Sequence, residues 1–144
     1  SDQIEVLFSA NKGIKYAPLF KIASGGELSR ILLSIKSILS KHLNLPTMIF
    51  DEIDSGVSGE MSNSMANMML EMSSKMQIIA ITHLPQVAAK GNQQLNVYKQ
   101  NSTSSTTTMV KQLNKQERID EISKMLAGDL ISESAVTHAK ELLN

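Results

Sequence analysis

Two short apolar runs, at residues 47–50 and 77–82, most constrain what this chain can fold into. Each follows a stretch of helical periodicity, and each gives way at once to polar residues. "TMIF" runs into Asp51 and Glu52, and "QIIAIT" into His83. Continuous runs of this length suit strands buried on both faces. The order helix, strand, loop, helix, strand predicts parallel βαβ pairing, with helices on the faces of the sheet. The first helix is expected over residues 25–42. Its apolar stripe is Leu28, Ile31, Leu32, Ile35, Ile38 and Leu39. The second covers residues 60–75, where Met61, Met65, Met68, Met69, Met72 and Met76 read as an adaptable core face.

Weaker signals flank this middle. Residues 3–9 alternate as a strand, and residues 16–22, broken by Pro18, read as extended or irregular. Residues 94–99 and 106–113 predict a hairpin closed by the polar run "NSTSS". Two helices, 115–127 and 133–143, finish the chain, separated by Gly128, with Ser132 as N-cap of the last. The expected class is therefore α/β, with a mainly parallel sheet, a hairpin and two C-terminal helices.

The stretch "ASGGEL" opens the first helix. Ser24-Gly25-Gly26-Glu27 fits the S-x-x-E capping box. Glycine costs a helix about 1 kcal/mol relative to alanine, so two in succession need a further reason. A bare backbone at a helix N-terminus lets an anion such as phosphate approach free N–H groups. Plain capping and anion binding both stay open on spacing alone. The acid pair sharpens the choice. In parallel α/β sheets, ligands bind beyond the carboxyl ends of strands. Of Asp51 and Glu52, one can hold a divalent cation there, directly or through water, and the other can orient or deprotonate a nucleophilic water. His83 follows its own strand at the same distance. A helix N-terminus, an acid pair and a histidine on one sheet edge point to nucleotide hydrolysis.

These residues resemble a known pattern. "SGGE" is similar to the ABC-ATPase signature, "MIFDE" to a Walker B strand with its catalytic glutamate, "SGVSG" to a D-loop and "ITH" to a switch histidine. Glu27 ends the signature, and Ile53-Asp54 follow the acids, where ABC transporters carry Gln and Pro. "KIASGGELSR", "FDEIDSGVSG" and "THLPQVAAKG" resemble the RecN family of bacterial DNA repair ATPases, of the SMC class. The resemblance covers nearly the whole chain. It implies residues 1–144 as part of a P-loop ATPase head that binds ATP and Mg2+ between two heads. Asp51 would bind magnesium, and Glu52 would activate water. His83 would contact the γ-phosphate. Ser24, Gly25, Gly26 and Glu27 would form the signature that meets the partner head's nucleotide. Ser55, Gly56, Val57 and Ser58 would line the seam as D-loop. Arg30 is open between a surface charge and a reach across that seam.

One departure bears on all of this. G-x-x-x-x-G-K-[ST] does not occur in the chain. The resemblance thus implies the C-terminal part of a head. Its partners would be an N-terminal half carrying Walker A, coiled-coil arms, a second head and, through the full-length protein, DNA. The segment alone is expected to be inactive. Two other readings stand beside it: a non-catalytic dimerisation module, and an ABC transporter subunit, which Glu27 and Ile53 argue against.

Composition excludes other classes. The 14 basic residues balance 14 acidic ones, unlike an autonomous nucleic-acid binder. Cysteine is absent, so there are no disulfides or thiolate metal sites. No apolar run approaches the roughly 20 residues that span a bilayer, and the first residues lack the pattern of a secretion signal. A bacterial cytoplasmic, nucleoid-associated protein without a membrane partner is the expectation.

Overall fold

The computed structural model describes residues 5–9, 12–13, 15–43, 45–51, 53–54, 56–57, 59–102, 105–128 and 130–144. The chain divides into two compact units, Ser1–Ile81 and Thr82–Asn144.

In the first unit, β1 (Leu7–Phe8) pairs antiparallel with β2 (Ala17–Pro18), Leu7 opposite Pro18 and Phe8 opposite Ala17. Residues 19–22, expected to be extended or irregular, form one helical turn, α1 (Leu19–Ile22). Pro18 stands at its N-cap, where a fixed φ suits the chain. The Leu19 N–H donates to the Val6 carbonyl at 2.9 Å. Residues 3–4 of the expected first strand lie outside the described residues.

Next come α2 (Gly25–His42), β3 (Thr47–Asp51), α3 (Gly59–Ser73) and β4 (Gln77–Ile81). β3 and β4 pair in parallel, in register from Thr47↔Gln77 to Asp51↔Ile81, as the βαβ pattern requires. α2 and α3 pack side by side and run the same way. Arg30 meets Met61 near their N-termini, and Lys41 pairs with Glu71 at 3.8 Å near their C-termini. The methionine face of α3 is core: Met65, Met69, Met72 and, just beyond the helix, Met76 are buried.

Burial differs from the sequence expectation in two places. Of β3, only Phe50 is buried, with the Lys36 ammonium 4.9 Å above its ring. The face shared by Ile49, Ile79 and Ile81 is open. A two-stranded sheet with one covered face cannot bury both sides of its strands. On α2, the buried residues are Leu33 and Ser40 rather than the apolar stripe. Leu32, Ile35, Ile38 and Leu39 are exposed, Ile38 at 59%.

The second unit holds α4 (Pro85–Lys90), β5 (Leu95–Asn101), β6 (Thr106–Gln112), α5 (Lys115–Ala127) and α6 (Glu133–Leu143). β5 and β6 form the expected antiparallel hairpin, Leu95 opposite Gln112 and Asn101 opposite Thr106. Its core is Ala89, Ile119, Ile122 and Ala139, where α4, α5 and α6 meet. α5 starts on a full capping box, Asn114 with Glu117, and Ser132 caps α6 by accepting from the Ala135 N–H. Gly128 ends α5 with φ +72°, a conformation that favours glycine. The short helix α4 was not anticipated, although Pro85 at its first position is a start signal.

Candidate functional site

The site is built first at the mouth of α2. Ser24 is extended, and its hydroxyl donates to Glu27 Oε2 at 2.7 Å while accepting from the Glu27 N–H at 3.4 Å. The Ser24 N–H also donates to Glu27 Oε2, at 2.8 Å. The capping box therefore forms as the sequence predicted. The Ser24 backbone bond lowers the Glu27 carboxyl below the ordinary glutamate range, and the Ser24 hydroxyl and Arg30 add to it.

The two glycines turn out to have different reasons. A Cβ at Gly25 would meet nothing within 4 Å, so its backbone faces open space. A Cβ at Gly26 would lie 2.8 Å from the Gly56 carbonyl oxygen, a contact no side chain tolerates. Gly26 is thus glycine because the loop after β3 lies against it. That loop is turned by a hydrogen bond from the Val57 N–H to the Asp54 carbonyl at 3.1 Å. Gly56, third in the turn, has φ +75°, where glycine is favoured. Asp54 is almost wholly buried, at 1% exposure. Sequence reasoning singled out neither the Gly26–Gly56 contact nor the burial of Asp54. The only hint was two glycine-bearing turns flanking one helix–strand unit.

Asp51 is the last residue of β3, exposed and opposite Ile81 at the common carboxyl end of the parallel pair. In the second unit, the Thr82 hydroxyl accepts from the Leu84 N–H at 3.0 Å, and this small turn carries His83, which is exposed. Glu52, Ser55 and Ser58 lie outside the described residues. The structure thus brings Ser24, Gly25, Gly26 and Glu27 together with Gly56 and Val57 in the first unit. Asp51 stands at the sheet edge of that unit, and His83 belongs to the other. Two cavities, of about 250 and 580 Å³, lie in the second unit, and no motif residue lines either. The signature turn is instead an open surface. No helix among the described residues is long and apolar enough to cross a membrane.

No family model matches the chain. A solved chain from structural work on ATP-driven dimerization and DNA-stimulated activation of SMC ATPases superposes with a TM-score of 0.63 and 20% identity. The match covers 79% of this chain and 68% of that one. The chain accordingly shares the α/β fold of that SMC ATPase chain. In sequence the chain is similar along nearly its whole length to the DNA repair protein RecN. It is 45% identical to RecN of Bacillus subtilis over 142 residues, 99% of this chain. It is 42% identical to RecN of Treponema pallidum and 40% identical to that of Vibrio cholerae over the same share. The chain spans about a quarter of the length of these relatives.

Proposed function

We propose that this chain is the signature-bearing part of an SMC-like ATPase head that acts in repair of DNA double-strand breaks. Completed by a Walker A-bearing segment and closed against a second head, it hydrolyses ATP. The single observation that carries the reading is the signature turn: Gly25 faces open space while Gly26 is fixed against the D-loop. A phosphate can approach the first residue, and the second ties that approach to the loop at the head–head seam.

The roles follow from position. Asp51, at the carboxyl end of β3, suits the one-carboxylate binding of Mg2+ that relies on substrate phosphates for most of its ligands. The metal would neutralise charge on those phosphates. Glu52 orients and deprotonates the attacking water. His83, carried on the Thr82 turn, contacts the γ-phosphate. Ser24 and the backbone of Gly25 and Gly26 serve the nucleotide of the partner head, with Glu27 holding the turn. Ser55, Gly56, Val57 and Ser58 line the seam.

The partner segment has its own support. The open face of Ile49, Ile79 and Ile81 and the stripe Leu32, Ile35, Ile38 and Leu39 are apolar surface of the kind that marks an interface. The chain matches a quarter of its relatives' length, so the covering layer is sought in the rest of such a polypeptide, with its coiled-coil arms. DNA is engaged through that whole assembly, at the bacterial nucleoid in the cytoplasm. Alone, without a Walker A lysine, the segment does not turn over ATP.

The test places this segment in the matching quarter of Bacillus subtilis RecN. The chimera is expected to hydrolyse ATP, and Glu52→Gln is expected to abolish turnover while leaving nucleotide binding. Turnover indifferent to Glu52 would overturn the reading. A second reading, a non-catalytic association module, is favoured by the same exposed apolar faces. It predicts tight binding to the complementary RecN segment with no ATP turnover in the joined pair.

A further inference from the structure

We infer that Arg30 is a positioning residue that ties the turn at the mouth of α2 to the first turn of α3, and through it to the loop that leads into that helix. The inference rests on the ATPase reading for its effect on turnover, but its geometry stands apart from it. Arg30 lies one turn into α2 and is half-buried, neither a free surface charge nor a group extended away from its own unit. Its Nε donates to the Gly26 carbonyl at 3.3 Å. Its Nη1 reaches Met61 Sδ at 3.7 Å, in the first turn of α3. α3 begins at Gly59, directly after the D-loop, and the Ser62 hydroxyl ties its first turn by donating to the Gly59 carbonyl. Gly26 is therefore held on two sides, by Arg30 at its carbonyl and by the Gly56 backbone at its Cα.

The choice of partners is informative. Besides the pull of its charge on the Glu27 carboxylate, this guanidinium donates to a backbone carbonyl, a strong acceptor, and to a thioether, a weak one. What it gains is reach, because a rigid fork touches two elements that share no sequence neighbourhood. A lysine, a single point charge on a flexible stem, lacks the pre-organised fork that holds both in one geometry. The loop and turn so joined are the surfaces proposed to meet the partner head's nucleotide, where misplacement by about 1 Å can cost up to roughly a hundredfold in rate.

The experiment uses the full-length RecN chimera with Arg30→Ala and Arg30→Lys. Three readouts are taken: steady-state ATPase kinetics, nucleotide affinity in the Glu52→Gln background, and hydrogen exchange of residues 53–62. The expected result for Arg30→Ala is a kcat lower by roughly ten- to a hundredfold, unchanged nucleotide affinity, and faster exchange across the D-loop and the start of α3. Arg30→Lys should restore thermal stability more than it restores kcat. Unchanged exchange at 53–62, or a kcat that tracks melting temperature alone and is intact well below it, overturns the inference. If the parent chimera shows no turnover dependent on Glu52, the ATPase reading fails. Exchange then decides the joint by itself: faster exchange in Arg30→Ala upholds it, and unchanged exchange rejects it.

Discussion

Gly25 and Gly26 are adjacent, alike in sequence and in the same helical turn, yet alanine should act on them with opposite sign. At Gly25 the new methyl enters open space. Alanine there gains helix propensity of up to about 1 kcal/mol, less in a first turn than in an interior. At Gly26 the same gain is opposed by a Cβ 2.8 Å from the Gly56 oxygen and 3.4 Å from its carbonyl carbon. Both atoms are backbone, so no side chain can swing away, and the D-loop itself must shift. Overpacking of this kind costs about 1–3 kcal/mol. The net expectation is that Gly26→Ala destabilises by about 1–2 kcal/mol and Gly25→Ala stabilises by a few tenths, a gap of about 2 kcal/mol. Parallel urea unfolding curves of the two variants measure that gap as a midpoint difference at constant slope. Equal shifts, or a more stable Gly26→Ala, would refute the packing argument. Activity should separate them differently. In the RecN chimera, Gly25→Ala is expected to fold normally but hinder turnover, because its methyl occupies the space proposed for phosphate.

Other outcomes follow from contacts already described. Glu27 has a lowered folded pKa, so its contribution is present above the ordinary glutamate range and is lost as pH falls through the lowered value. Acid should therefore fray the start of α2, and Glu27→Gln should flatten that dependence in hydrogen exchange of residues 25–28. The Lys111–Glu117 pair is bounded on both sides. Glu117 is lowered, chiefly by Lys111, and its share is lost on acidification. Lys111 is raised by Glu117, and its share is lost as pH climbs through the raised value. Chemical shifts of the β6–α5 junction across pH check both limits. Arg118 donates to the Ala89 and Gly91 carbonyls at 3.2 and 2.7 Å and to Gln94 at 3.4 Å, so Arg118→Ala should destabilise the second unit by about 2 kcal/mol in thermal unfolding. Ile35→Glu with Ile38→Glu should leave the circular dichroism of this segment unchanged, because both side chains are exposed, but abolish co-purification with the complementary RecN segment.

Much of this architecture is legible in the chain, for identifiable reasons. The parallel pair, the hairpin and the capped start of α2 are written in local signals: apolar runs, turn residues and the S-x-x-E box. Burial was less legible. Continuous apolar strands and the α2 stripe describe what those residues require, and within this segment Ile49, Ile79 and Leu32 do not obtain it. A hydrophobic pattern says which residues favour burial, and the two-stranded parallel sheet, covered on one face, leaves the other face without a layer to bury it. The glycine pair shows a different limit. Spacing could say that two glycines need a cause, but not that each has its own. The contact with Gly56 spans 30 residues of sequence, and no local rule reaches that far. α4 was missed because six residues are too few for a helical period to declare itself.

The Ser24 hydroxyl carries a last consequence. Its one proton already belongs to Glu27 Oε2. An incoming oxyanion that wants this proton must take it from a carboxylate of the same sign, so the exchange leaves the number of hydrogen bonds unchanged. Recognition at this serine then gains no hydrogen bond and brings two like charges together, so any grip must come from the backbone N–H groups beside it. A helix mouth wired in this way would let an anion go as readily as it accepts one.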